Sequence, residues 1–279
     1  MLIKYYVHYT QSGGTTAKSI YECLNLIIAN RAGGLAQFGY STKNFLLSFH
    51  PWGEEGPTYV NADTTSFEGI DRAERLRLVP AHKADIIFTS YPEYAISHLY
   101  NRNNKGRAMG LFRHPVSRLV SKFYYLQIAD WERSYKPQWK DMSVSYWARH
   151  INNDNEHMVK KLAGKRMNDV VDEEDLQLAM RTLKSRFVVG LMDNMEESIH
   201  RFNTILGIDE TLETSNDCMD QYFGHGSLKS NSNSHPKVSE GSEPWKALAE
   251  SNPLDIKLYE FIVKLFEEQR ELIESYSYR

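Results

Sequence analysis

Short apolar runs that alternate with amphipathic helical segments constrain this chain more than any other feature. Parallel strands need a crossover between them, usually a helix, and that alternation is what a parallel sheet looks like in sequence. The pattern begins at once. Residues 2–9 read as a β-rich run, 10–14 (TQSGG) as a polar loop, and a helix opens at Thr15-Thr16 with Ile20, Leu24 and Ile27 spaced for one buried face. A strand at 84–89 (ADIIFT) leads into a helix through Glu93 and His98. After the turn NRNNKG at 101–106, a strand at 107–112 (RAMGLF) runs into a helix at 115–128, which opens on Pro115 and carries Val116, Leu119, Val120 and Phe123 on one face. Further on come a helix at 172–183, a strand at 186–191 (RFVVGL), a helix at 195–206 stopped by Gly207, and a last amphipathic helix at 254–276. These elements predict an α/β, three-layer fold with a central, mainly parallel sheet flanked by helices, built as one domain over residues 1–279. In such sheets ligands sit at the carboxyl ends of the strands, which gathers the neighbourhoods of Gln11, Thr89 and Arg113 around one cleft.

Between these elements, residues 32–66 read as a long irregular connection with one short strand, and residues 131–163 as an aromatic and polar stretch with helical pieces around 145–150 and 156–163. Long irregular segments inside compact domains tend to carry function, so both are candidates for a substrate-facing wall. Residues 227–242 read as a Ser/Asn/Gly-rich loop.

Composition narrows the function classes. A formal charge of −3 excludes the strong basic bias of a general nucleic-acid binder. The two cysteines, Cys23 and Cys218, form no metal-ligand motif and read as no disulfide framework; together with the lack of an Asn-x-Ser/Thr sequon, that fits a reducing setting. No apolar run reaches membrane-spanning length, so a cytoplasmic location is the default, with a trimmed luminal domain of Golgi type as the alternative.

Two stretches carry chemistry. The first is the opening one. A strand, a Gly13-Gly14 loop and a helix N-terminus aim backbone N–H groups and a helix dipole at an anion, and Thr15 and Thr16 can cap the helix or bond phosphate oxygens. A turn that uses its glycines for geometry alone would read the same way. The second is 111–126 (LFRHPVSRLVSKFYYL), where Arg113 ends a strand and Ser117, Arg118 and Ser121 follow within two helical turns. Arginine offers a planar fork to a phosphate and serine a neutral donor. Alternatively, Arg118 and Lys122 form an ordinary solvated face.

Together these stretches resemble the sulfotransferases that use 3′-phosphoadenosine 5′-phosphosulfate (PAPS), of the carbohydrate type related to heparan sulfate 2-O- and 6-O-sulfotransferases. The run HYTQSGGTT at 8–16 is similar to that family's 5′-phosphosulfate loop. RHPVSR at 113–118, with Ser121, Phe123 and Tyr124, is similar to its 3′-phosphate motif. FVVGL at 187–191 and Asn252-Pro253-Leu254-Asp255 with Leu258-Tyr259 resemble its later strand and final helix. The resemblance implies a P-loop-like fold, a PAPS donor, release of the bisphosphate PAP, no metal, and a carbohydrate or small-molecule hydroxyl as acceptor; it implies neither nucleic acid nor membrane as partner. Carried over residue by residue, Gln11, Ser12, Gly13, Gly14, Thr15 and Thr16 would hold the 5′-phosphosulfate. Arg113 and Ser121 would hold the 3′-phosphate, and Lys229 would belong to a loop that closes over the nucleotide. Glu93 is the expected general base and His98 its rival. The chain departs from the pattern twice. Gln11 replaces the loop lysine that neutralises the departing oxygen, which leaves Lys18 or a distant cation to substitute, and His114 replaces the usual aspartate. Two rival readings remain: a catalytically weakened PAP-binding protein, suggested by Gln11, and a P-loop kinase-like phosphotransferase, disfavoured because no Gly-Lys-Ser/Thr ending is present.

Overall fold

The computed structural model describes residues 4–7, 13–31, 39–132, 134–152, 154–224 and 235–277. In chain order the elements are β1 (Lys4–Val7), α1 (Gly14–Cys23), β2 (Ile28–Ala29), β3 (Ser48–Phe49), β4 (Tyr59–Val60), α2 (Phe67–Arg75), β5 (Ile86–Thr89), α3 (Pro92–Leu99), β6 (Ala108–Phe112) and α4 (Pro115–Tyr125). There follow α5 (Val144–His150), α6 (His157–Leu162), α7 (Glu173–Arg186), β7 (Phe187–Leu191), α8 (Met195–Leu206), α9 (Glu213–Phe223), α10 (Glu243–Glu250) and α11 (Pro253–Ser277). The seven strands form one sheet in the order β3-β4-β2-β5-β1-β6-β7. Every pairing is parallel except that of the edge strand β3 with β4.

The apolar runs become central strands because both of their faces are covered. Along β5, Ile87 faces one core while Ile86 and Phe88 face the other. Along β6, Ala108 and Phe112 share the first core, and Met109 and Leu111 the second. The first core is closed by α2, α3, α6, α7 and α11, the second by α1, α8 and α9. This is the expected α/β arrangement in three layers. A third cluster, around Phe123, Trp139 and Trp147, joins α4 to α5 and α10. On the second face α8 lies close against β7, since a Cβ on Gly190 would come within 2.7 Å of both Phe202 and Ser198.

Several expectations need correction. Helix α1 ends at Cys23, so Leu24 is its C-cap and Ile27 lies beyond it. Residues 32–66, read as irregular with one short strand, contribute two, β3 and β4, whose two-residue length leaves no period to detect. The helices α2, α9 and α10 and the two-residue strand β2 escaped the sequence pattern altogether. Cys23 and Cys218 form a disulfide that ties the end of α1 to α9. The expectation of no disulfide is therefore overturned, and with it the support the cysteines lent to a reducing setting. Among the described residues no helix is long and apolar enough to cross a membrane.

Candidate functional site

The parallel strands set their carboxyl ends along one edge, and β1 pairs with β6 so that Val7 is level with Gly110. The segment that leads into α1 and the segment at Arg113 thus leave adjacent strands, about 4.8 Å apart. Gly13 is the N-cap of α1, with φ +74°. A Cβ there would lie 2.5 Å from Met192 Sδ and 2.9 Å from Leu111 Cδ2. The left-handed backbone conformation favours glycine here, and α1 starts against the side chains of Leu111 and Met192 at the ends of β6 and β7. No acidic residue occupies its first turn, which leaves the positive end of the helix dipole facing the carboxyl edge. Thr15 is exposed and Thr16 half-buried. The threonine cap expected from the sequence is replaced by Gly13, with no side-chain cap. Gln11 and Ser12 lie outside the described residues.

Arg113 follows β6 directly and is half-buried. Burial pulls its pKa down, while Asp193, just past β7, and Tyr259 of α11 pull it back up. His114, the N-cap of α4, packs edge-on to Tyr259 at 5.3 Å and parallel to Trp245 at 6.4 Å. Burial lowers its pKa below the ordinary histidine value, against Asp193, so it is a neutral packing group near pH 7. Ser121 is half-buried nearly two turns along α4, about 9 Å up the axis from Pro115. Lys229 lies outside the described residues. Just beyond that loop, His235 stacks on Tyr124 of α4 at 5.2 Å and 9°.

Arg118 is not on a solvated face. It is 1% exposed, and its Nη1 donates to Asp154 Oδ2 at 2.8 Å. Lys122 Nζ donates to the same oxygen at 2.8 Å, and His157 Nδ1 lies 3.0 Å from Asp154 Oδ1. Burial alone would raise the Asp154 carboxyl, but Arg118, His157 and Lys122 hold it well below the carboxylate range. Next to this cluster, two helix starts cap each other. The Glu156 carboxylate accepts from the N–H groups of Leu254 and Asp255, and Asp255 accepts from Met158 and Val159. Burial pushes Glu156 up to about 7, against the bonds from those backbone groups. These partners tie α4, the start of α6 and the start of α11 together at one corner.

Glu93 and His98 are both on α3, which follows β5 on the other side of β1. The Glu93 carboxylate turns to Arg186 on α7 at 3.3 Å and takes a hydrogen bond from Thr182. Burial raises its pKa nonetheless. His98 stacks on Tyr94 at 3.8 Å, with Nδ1 2.9 Å from the Tyr94 carbonyl. Glu93 also lines a pocket of ≈ 200 Å³ with Phe67, Tyr91, Tyr94, Ser97, Lys161, Gly164 and Lys165. Lys18, the substitute cation considered for Gln11, reaches 5.9 Å over the ring of Tyr59 on β4, toward the opposite wing of the sheet from Arg113. Sequence reasoning missed Asp154, Asp193 and Lys161, each contributed by a segment distant in the chain; Tyr259 fell inside a recognised motif but without a role. Among the described residues no group of His, Cys, Asp and Glu side chains is arranged to hold a metal ion. Neither any family model nor any curated protein matches the chain.

Proposed function

We propose that this chain is a PAPS-dependent sulfotransferase that transfers a sulfonate group to a hydroxyl of a carbohydrate or small-molecule acceptor and releases PAP. One observation carries the reading: a glycine-pinned helix N-terminus and a half-buried arginine leave adjacent parallel strands at the same edge of the sheet. That arrangement suits a ligand with phosphate groups at two separate positions. In this scheme residues 12–16 hold the 5′-phosphosulfate, and Arg113 with Ser121 holds the 3′-phosphate. The acceptor oxygen attacks sulfur in line as the bond from sulfur to the phosphate oxygen breaks, and the hydroxyl proton passes to a carboxylate or imidazole. Glu93 is the better placed base, because it lines a pocket and its pKa is raised toward neutrality. Its hold on Arg186 must loosen, or a water must bridge, for it to act.

A second reading, a PAP-binding protein with little turnover, draws on Gln11. Arg118 and Lys122 pair with Asp154, and Lys18 lies 5.9 Å from the Tyr59 ring, which counts against their standing in for the missing lysine. Thermal unfolding with PAP, ADP and ATP tests the nucleotide assignment. A rise in Tm with PAP well above that with ADP or ATP, and without added magnesium, is the expected result; magnesium-dependent stabilisation by ATP alone would replace the reading with a phosphotransferase. Release of labelled sulfate from PAPS then separates the enzyme from the binding protein, and an inert parent activated by Gln11→Lys would establish the latter. Glu93→Ala is expected to keep the PAP shift and lose turnover by roughly a hundredfold. Unchanged turnover would move the role of base to His98 or elsewhere.

A further inference from the structure

Lys161, in the last turn of α6, is half-buried with its Nζ 3.8 Å from the centre of the Tyr91 ring. No carboxylate lies within ion-pair distance of it among the described residues, although its neighbours are all matched. Lys165 Nζ pairs with Asp175 at 3.0 Å, Lys160 Nζ donates to the Met167 carbonyl at 3.0 Å, and Glu93 is neutralised by Arg186. The Tyr91 ring also meets Phe67, with ring centres 4.2 Å apart, and Phe67 in turn meets Tyr94 edge-on. An ammonium group fixed on a stacked aromatic wall, in a pocket that already balances its other charges, favours an incoming anion. At ≈ 200 Å³ the pocket is smaller than the usual site for a drug-sized ligand and takes a single ring. It opens between the starts of α2 and α3 and the end of α6, and α3 begins just past the carboxyl end of β5, the strand on the other side of β1 from Arg113.

We propose that this pocket is the acceptor subsite and that Lys161 seats an oxyanion borne by a hydroxylated ring, a carboxylate or a sulfate ester, while Tyr91 and Phe67 line the ring's wall. The assignment to the acceptor rests on the sulfotransferase reading; the anion subsite itself does not. The groups that face Lys161 are Tyr91, Glu93 and Tyr94 from the α3 side, Lys165 with Asp175 beyond α6, and Asp154 and His157 from behind. Burial lowers the Lys161 ammonium to about 8, against the pull of Asp154. Anion affinity that depends on its charge therefore falls as the pH rises through that value.

The test titrates the full-length protein, without nucleotide, with glucose, glucuronate and glucose 6-sulfate and follows binding by calorimetry or ligand-observed NMR. The two charged rings are expected to bind roughly tenfold or more tightly than glucose at pH 7, and whichever binds tighter identifies the kind of oxyanion. The preference should fade above pH 8, disappear in Lys161→Met, and survive in Lys161→Arg without the fade. Equal binding of all three rings, or an unchanged preference in Lys161→Met, overturns the proposal. The PAP-induced rise in Tm, measured on the same proteins, keeps the two readings apart. A chain that ignores PAP yet sorts the rings through Lys161 retains the anion subsite and loses the sulfotransferase, and a chain that binds PAP but ignores ring charge does the reverse.

Discussion

Arg113 and Arg118 are five residues apart and have opposite surroundings. Arg118 points into the corner between α4 and α6, is almost wholly buried and shares Asp154 with Lys122 and His157. Arg113 stands at the end of β6, half-buried, with burial pulling its pKa down and Asp193 and Tyr259 opposing it. The first arginine is tied into a buried network of charges. The second is held at a strand end beside the start of α1. One short stretch thus supplies an arginine tied into the core and an arginine at a strand end, because Arg118 lies on α4 facing Asp154 while Arg113 precedes the helix.

Substitutions at the two ends should break this contrast in different ways. The largest effect is expected at Asp154→Ala, which leaves Arg118 buried without its carboxylate. Stability measured by urea unfolding should fall by about 3–5 kcal/mol. Arg113→Ala should do the opposite: the unliganded protein unfolds near its normal Tm, while PAP affinity drops by roughly 10- to 100-fold, the value of a charge-assisted hydrogen bond. If Arg113→Ala unfolds the protein and Asp154→Ala does not, the assignment of roles is reversed.

The smallest effect is one of slope. Glu156 binds its proton more tightly folded, at about 7, than in the unfolded chain, where an ordinary glutamate sits near 4.5. Its contribution to stability is therefore full below the unfolded pKa and is lost as the pH rises from about 4.5 to 7. His157 acts in the other direction. Burial lowers its pKa to about 4, so acidification from about 6.5 toward 4 protonates the unfolded chain first and costs stability. Glu156→Gln should remove the first component, on the order of 1–3 kcal/mol across its window, and leave the loss on acidification in place. Parallel stability–pH curves for the parent and Glu156→Gln would refute the assignment.

What the sequence disclosed and what it withheld follow the range of the interactions concerned. The strand–glycine–helix opening, Pro115 at the start of α4 and Gly207 at the end of α8 are set by neighbours a few residues away, and all three are written locally. Arg118 could not be told from a surface residue, because its partner Asp154 lies 36 positions on, in a stretch without period. The exchange of caps between Glu156 and Asp255 spans almost a hundred residues. Lys161 carries no motif at all; what singles it out is the Tyr91 ring against it, which only the packing of α6 on α3 provides. The two cysteines were visible, but a spacing of 195 positions says nothing about whether they meet.

The Cys23–Cys218 bond has a consequence for the chain as a covalent object. It closes a ring of polypeptide that contains β2 through β7, while β1, most of α1, α10 and α11 hang outside as two tails. A single protease cut in any exposed loop of the ring leaves one molecule of unchanged mass, apart from the added water, and it separates into two fragments only when the bond is reduced. A cut in either tail releases a piece directly. Gels run with and without reductant after brief digestion would therefore tell on which side of the ring each accessible bond lies. The helix that begins at Gly14 and the face that carries α9 would stay joined through such a nick, whatever became of the loops between them.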